Sequence, residues 1–150
     1  MKPRLLNKGD VIKTNPSEGF WGCAVVLSER DKTPDRDPLC HIATTPIVFR
    51  HDYDLAELEV ANLTVLTFER IYRLRPGEEF SRPELLIGVY SRKISSLVNV
   101  IASIDSSEVY QGPLPFEPLH DLEITFPLCG KVTSLLGSEA VISWRRAHGG

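Results

Sequence analysis

The chain lacks a long apolar run, clustered cysteines and a basic excess, and each absence removes a class of function. A membrane-crossing helix needs about 18 or more consecutive apolar residues, and the 150 residues contain no such run. Met1-Lys2-Pro3-Arg4-Leu5-Leu6 passes directly into Asn7-Lys8-Gly9-Asp10 rather than into a signal-peptide core, which predicts a cytoplasmic protein. The three cysteines, Cys23, Cys40 and Cys129, are far apart and set among apolar neighbours. That pattern predicts reduced core thiols instead of a disulfide framework. Lys and Arg number 17 against 20 Asp and Glu, a net charge of −3. With its arginines dispersed, such a chain is not expected to contact nucleic acid directly.

Catalytic and cofactor motifs are missing as well. Gly130-Lys131-Val132-Thr133-Ser134 has neither the earlier glycine nor the consecutive Lys-Ser/Thr of a phosphate loop. Leu136-Gly137-Ser138-Glu139-Ala140 has no second glycine after its serine, so it is no nucleophile elbow. None of His41, His51, His120 and His148 stands in a helical His pair or near a cysteine at finger spacing. No metal, cofactor or catalytic constellation is expected. Cys23, beside Trp21 and Val25, reads as a small core residue rather than a nucleophile.

What is present is a globular composition, 42% hydrophobic and 25% charged, which argues against disorder. A chain of this size buries a core without staples and is expected to be a single domain over residues 1–150. Asp10-Val11-Ile12-Lys13 and Phe20-Trp21-Gly22-Cys23-Ala24-Val25-Val26-Leu27 predict two strands joined by the turn-rich stretch Thr14 to Gly19. Ser28 to Pro38, polar and with two prolines, reads as a surface loop. Leu39 to Phe49 is β-prone, but Pro46 removes a ladder donor and predicts an edge strand or a break. A short helical turn from Asp54 is followed by a strand from Leu63 to about Leu74, and Arg75 to Glu79 is a turn. Strands are expected at Leu85–Tyr90, at Val98–Ile104, at Leu122–Phe126 and at Val132–Leu136. Gly112 to Pro118, with its three prolines, reads as an extended strap. Residues 138–146 close the chain, with Ser138 a candidate cap for a last short helix. The fold class is α+β: a curled antiparallel β-sheet resembling an SH3-like barrel, with one or two short helices.

The acids carry the functional reading. Asp31, Asp35 and Asp37 fall in the first loop, Asp52, Asp54, Glu57 and Glu59 in the second, and Glu78 and Glu79 at the third turn. A solvated surface explains such residues without further assumption. The sharper reading sets them on one end of the barrel, where carboxylates steer a basic protein partner while Tyr53 and Tyr72 serve as anchors. Two alternatives stand beside it. One is a regulatory or scaffold module gripping a peptide or another cytoplasmic protein. The other is a small hydrolase or nuclease built on His51, Asp52 and Asp54.

The order of features resembles the immunity protein 26 family of bacterial polymorphic-toxin and contact-dependent inhibition systems. The residues that carry the resemblance are Gly9-Asp10-Val11-Ile12, the strand Phe20 to Leu27, and Val98-Asn99-Val100-Ile101-Ala102 followed by Gly112-Pro113-Leu114-Pro115-Phe116. Ala102 stands where that family has a glycine, and no tryptophan precedes Val98. The resemblance implies a non-enzymatic inhibitor that neutralises a cognate toxin, often a basic nuclease, by occluding its active or substrate-binding face. No cofactor, nucleic acid or membrane is implied as a partner.

Overall fold

A computed structural model describes residues 4–31, 33–34, 38–94, 99–112 and 140–148. Among these residues nine strands run in the order β1 (Arg4–Leu5), β2 (Asp10–Ser17), β3 (Phe20–Val26), β4 (Leu39–Phe49), β5 (Thr67–Arg75), β6 (Glu78–Leu85), β7 (Ile87–Ser91), β8 (Lys93–Ile94) and β9 (Asn99–Ser103). Three short 3-10 turns, Leu55–Glu57, Val60–Asn62 and Ser106–Glu108, lie between strands or after β9. One helix, α1, covers 140–147. The architecture is antiparallel sheet with a single described helix, an α+β arrangement.

The centre is a five-stranded antiparallel sheet in the order β7-β4-β3-β2-β9. β7 and β9 are its edges, so among the described residues the sheet stays open. Its inner strands bury side chains on both faces. Ile12, Ala24, Val26, Cys40 and Ile42 gather with Leu6 on one side, and Val11, Cys23, Val25, Leu27 and Ala43 gather with Tyr53, Leu58 and Leu63 on the other. Neighbouring residues along a strand point to opposite faces, and a strand covered on both faces reads as a continuous apolar run rather than as alternation. That is the origin of the run Cys23-Ala24-Val25-Val26-Leu27. Each fully buried Val, Leu or Ile contributes about 1.5–3 kcal/mol.

The hairpin predicted at the start is present, but its first strand is longer than expected, while its second ends at Val26. β2 continues through Pro16 to Ser17, leaving Glu18-Gly19 as the turn. The register passes from Thr14↔Gly22 to Ser17↔Phe20, so Asn15 and Pro16 face Trp21 alone. A proline without a ladder donor is tolerated in such a bulge. The Asn15 amide secures the bulge by donating to the Phe20 carbonyl at 2.7 Å. Gly9, just before β2, has φ +94° and packs so closely that a Cβ there would sit 2.1 Å from the Ile104 carbonyl oxygen. Only glycine fits.

Pro46 corrects a second expectation. β4 is one unbroken strand of 11 residues lying between β3 and β7, neither broken nor a sheet edge along its whole length. β7 pairs only with Leu39 to Ala43, so β4 has no β7 partner where Pro46 lies. On the β3 side Thr45, Pro46 and Ile47 together oppose Cys23, a second bulge. The Thr45 hydroxyl donates to the Cys23 carbonyl at 2.7 Å within this interruption.

Further along, Leu63 to Leu66 is not strand. Leu66 instead links the middle of β4 to the residue between β6 and β7, donating to Thr44 O at 2.8 Å and accepting from Leu86 N at 2.9 Å. β5 and β6 then form a separate two-stranded hairpin turning at Pro76-Gly77. Glu78 and Glu79 therefore belong to β6 and face Arg75 and Arg73, with ion pairs of 3.9 and 3.0 Å. The expected strand Leu85–Tyr90 divides at Leu86 between β6 and β7. The expected strand at Val98–Ile104 is β9. Residues 113–120, 122–126 and 132–136, and Ser138, Cys129 and His120, lie outside the described residues.

α1 is seated on the tip of the first hairpin. Ala140 and Val141 are buried, and Trp144, one turn on, meets the Phe20 ring edge-on at 5.5 Å. The i, i+4 spacing puts Ala140 and Trp144 on one helix face, and His148 stacks on Trp144 at 4.1 Å.

Candidate functional site

The connection from Arg50 to Leu66 crosses the second face of the sheet, and one side chain fixes it. Tyr53 is 1% exposed. Its ring stacks on Phe49 at 4.4 Å, and its hydroxyl donates to the Gly22 carbonyl at 2.7 Å. Burial pushes its hydroxyl pKa far up, with Cys23 adding to the rise. The phenol therefore stays protonated and keeps donating. Tyr53 is thus no surface anchor, contrary to expectation. A tyrosine is buried at little cost when its ring finds apolar neighbours and its hydroxyl an acceptor; the flanking Asp52 and Asp54 concealed this in the sequence. The side chain of Tyr72, the other expected anchor, lies outside the described residues.

With Tyr53 turned inward, its neighbours turn out. Asp52 accepts from Lys13 Nζ at 2.5 Å, and the same ammonium donates to the Tyr53 carbonyl at 2.9 Å. Asp54, Glu57 and Glu59 are exposed. The Glu57 carboxylate accepts from the Asp54 backbone N–H at 3.0 Å and meets His51 Nε2 at 2.7 Å. The Asp54 N–H first and His51 second hold the Glu57 carboxyl below its usual range. Glu59 accepts from the Asn62 amide at 2.8 Å. Of the acids of 52–59, Glu57 lies within the first 3-10 turn, Asp54 and Glu59 precede the first and second turns, and Asp52, Glu57 and Glu59 are each tied to a neighbouring group.

Asp31 is held in a different place and by a different device. Arg92, 4% exposed, donates to Leu6 O at 2.7 Å, Asp31 Oδ1 at 2.9 Å, Asn7 Oδ1 at 3.1 Å, Arg30 O at 3.3 Å and Glu29 Oε2 at 3.4 Å. Its backbone N–H donates to Pro38 O, and its carbonyl accepts from Leu6 N. The guanidinium thereby joins Leu6 and Asn7 to the start of the first loop, and the backbone of the same residue joins the loop's other end to the residue after β7. Leu6 belongs to the first buried cluster and Tyr53 to the second. The described acids are therefore split between two anchoring points and do not gather on one end of the sheet. Asp35 and Asp37 lie outside the described residues. Arg92 carried no sequence signal, because a buried arginine after an apolar strand looks like an exposed one until its carbonyl partners are folded around it.

The residues weighed for chemistry are drawn apart. His51 turns to Glu57, Asp52 to Lys13, and the Asp54 backbone joins the turn. His51 and Glu57 are exposed, at 58% and 42%, and the imidazole meets the Phe49 ring edge-on at 5.5 Å. Ser28 and His41 form a pair that sequence reasoning missed, Oγ to Nδ1 at 2.7 Å. The same hydroxyl oxygen accepts from the His41 backbone N–H at 3.0 Å, so Ser28 closes the loop onto β4. Among the described residues no three His, Cys, Asp or Glu side chains are placed to hold a metal ion. Cys23 and Cys40 are buried, and burial pushes both thiols up to about 12, so neither is a thiolate at neutral pH. No helix among the described residues is long and apolar enough to cross a membrane.

Comparison with known protein families, with curated proteins and with solved structures yields no match for this chain.

Proposed function

We propose that the protein is an immunity protein that binds a cognate bacterial toxin, a basic nuclease, and neutralises it by covering its active or substrate-binding face. The observation that carries this reading is the acidic connection 52–59, whose exposed carboxylates at Asp54, Glu57 and Glu59 are presented on turns tied down by the buried Tyr53. A preorganised set of like charges accelerates capture of an oppositely charged protein and loses little side-chain freedom on docking. The finer architecture belongs to the same proposal. Bulges in β2 and β4 bend the five-stranded sheet, and such bends curl a sheet towards an SH3-like barrel. A cytoplasmic location fits this role, since an immunity protein meets its toxin inside the cell it protects.

The hydrolase reading is set aside because His51 and Asp52 are each engaged with a different partner. The test is co-expression with the toxin domain encoded immediately upstream, followed by co-purification and a growth assay. The expected result is a stable complex and protected cells. Replacing Asp54, Glu57 and Glu59 together by Lys is expected to weaken the complex by at least about tenfold, mainly through slower association. Neither complex nor protection from the wild-type protein would end the proposal.

A further inference from the structure

β5 and β6 pair with each other and not with the five-stranded sheet, so they form a ribbon of two strands. Such a hairpin by itself is marginally stable in water, and a further strand is what makes a small sheet hold. Residues 75–81 of the ribbon are nevertheless exposed, Phe80 at 47%. Among the described residues neither outer edge of the ribbon has a partner strand. The two edges are not alike. β6 carries Pro83, which blunts pairing, whereas β5, Thr-Phe-Glu-Arg-Ile-Tyr-Arg-Leu-Arg, has no proline. With nine residues β5 is also longer than β7 and β9, the five-residue edges of the central sheet.

Charge decides which strand such an edge accepts, and the charges of β5 are complementary to themselves. Pairing within the ribbon is regular from Thr67 to Arg73 and shifts only between Arg73 and Arg75. Set a second β5 antiparallel beside the first, with a two-fold axis at Ile71. Glu69 then falls opposite Arg73 of the second copy, twice over by symmetry, and Arg70 falls opposite Tyr72. Opposite charges facing each other across strands stabilise a pair, and like charges destabilise it. Other registers are worse. A slip of one residue opposes Arg70 to Arg73 or leaves Glu69 opposite Tyr72, and centring on Arg70 opposes that residue to itself. Centring on Tyr72 carries Glu69 to Arg75, past the bulge. Arg73 already meets Glu79 of its own ribbon at 3.0 Å. A guanidinium with five donors serves a carboxylate on either side.

We propose that two copies of this chain dimerise through the β5 edge, joining their ribbons into one four-stranded antiparallel sheet in the order β6-β5-β5-β6. None of these residues belongs to the 52–59 connection, and the proposal does not rest on the toxin reading. A single paired edge is smaller than the roughly 1,600 Å² of a standard interface, so the dimer is a weak one.

The experiment follows the full-length protein by sedimentation velocity from micromolar to hundreds of micromolar concentration. A reversible monomer–dimer equilibrium is expected. Glu69→Arg leaves the Arg73–Glu79 pair in place but sets like charges opposite each other twice. It is expected to weaken the dimer at least about tenfold with an unchanged far-UV spectrum. Arg73→Glu is expected to do the same. Mixed in equal amounts, the two variants oppose a positive to a negative residue at both positions, so a heterodimer is expected where neither variant associates alone. Should Arg73→Glu lose the wild-type spectrum, amide exchange replaces the mixture: protection of 67–75 is expected to rise with concentration in the wild type and not in Glu69→Arg. The proposal is overturned by a monomer throughout the series, by a dimer as tight in Glu69→Arg as in the wild type, by a mixture of folded variants no more associated than its components, or by exchange of 67–75 that ignores concentration.

Discussion

Two acid-bearing connections leave the central sheet, and they are held by opposite means. The segment 29–31 is pinned by a buried cation, Arg92, that reaches side-chain and backbone oxygens alike. The segment 52–59 is pinned by a buried aromatic, Tyr53, whose one polar atom meets a strand carbonyl. In the first, charge and hydrogen bonding do the holding inside the protein, where losing a partner is expensive. In the second, apolar burial does the holding, and the charges stay outside. Exposed carboxylates are therefore no guide to what anchors the loop that carries them.

Four substitutions separate the two devices, beginning with the largest effect. Arg92→Ala removes every side-chain donor of the knot and takes away the guanidinium that meets the Leu6 carbonyl, so a loss of about 3–5 kcal/mol is expected in urea unfolding. A loss below about 1 kcal/mol would show that the knot is incidental to the fold. Tyr53→Phe keeps the ring and removes the hydroxyl from Gly22 O; about 1–2 kcal/mol is expected from the unpaired carbonyl. Were this change to cost as much as Arg92→Ala, the contrast between polar and apolar anchoring would fail. Asp31→Asn alters a side chain that is 95% exposed, and less than about 0.5 kcal/mol is expected, because Arg92 retains its carbonyl partners.

The smallest effect is a pH dependence confined to the second connection. Glu57 titrates below its ordinary value of 4.5 in the folded protein. Its contribution is therefore complete above that pH and disappears as pH falls through the lowered folded value. Exchange of the Asp54 amide is expected to quicken across that acid range in the wild type and to be flat with pH-corrected chemistry in Glu57→Gln. An Asp54 amide equally protected in both proteins would remove the carboxylate from the account of the turn.

Much of the sheet was legible because its strands carry their signal locally. Gly9, the run Phe20 to Leu27, and Val98 to Ile104 read as turn or strand from composition alone, and the structure places Phe20–Val26 and Asn99–Ser103 in strands and Gly9 at positive φ. Local pattern sets Pro16 in a turn and makes Pro46 an edge strand or a break, whereas both lie within strands. A proline reports a missing donor, but whether a neighbouring strand needs that donor depends on register, and both prolines fall in bulges. At the second connection the acids were legible and their anchor was not. Tyr53 was assigned by its charged neighbours in sequence, whereas its environment is Phe49 and the Gly22 carbonyl.

The amino-acid sequence by itself determined the β-rich, apolar-centred character of the chain, the first hairpin and the presence of its acids, because strand propensity, turn chemistry and charge are properties of short segments. Tertiary structure alone decided which carboxylates share a surface, that Tyr53 and Arg92 lie inside, and that Arg50 and Arg145 both stand near one phenylalanine. These depend on pairings between residues as far apart as Leu6 and Arg92 or Phe20 and Arg145, and no local pattern records such contacts.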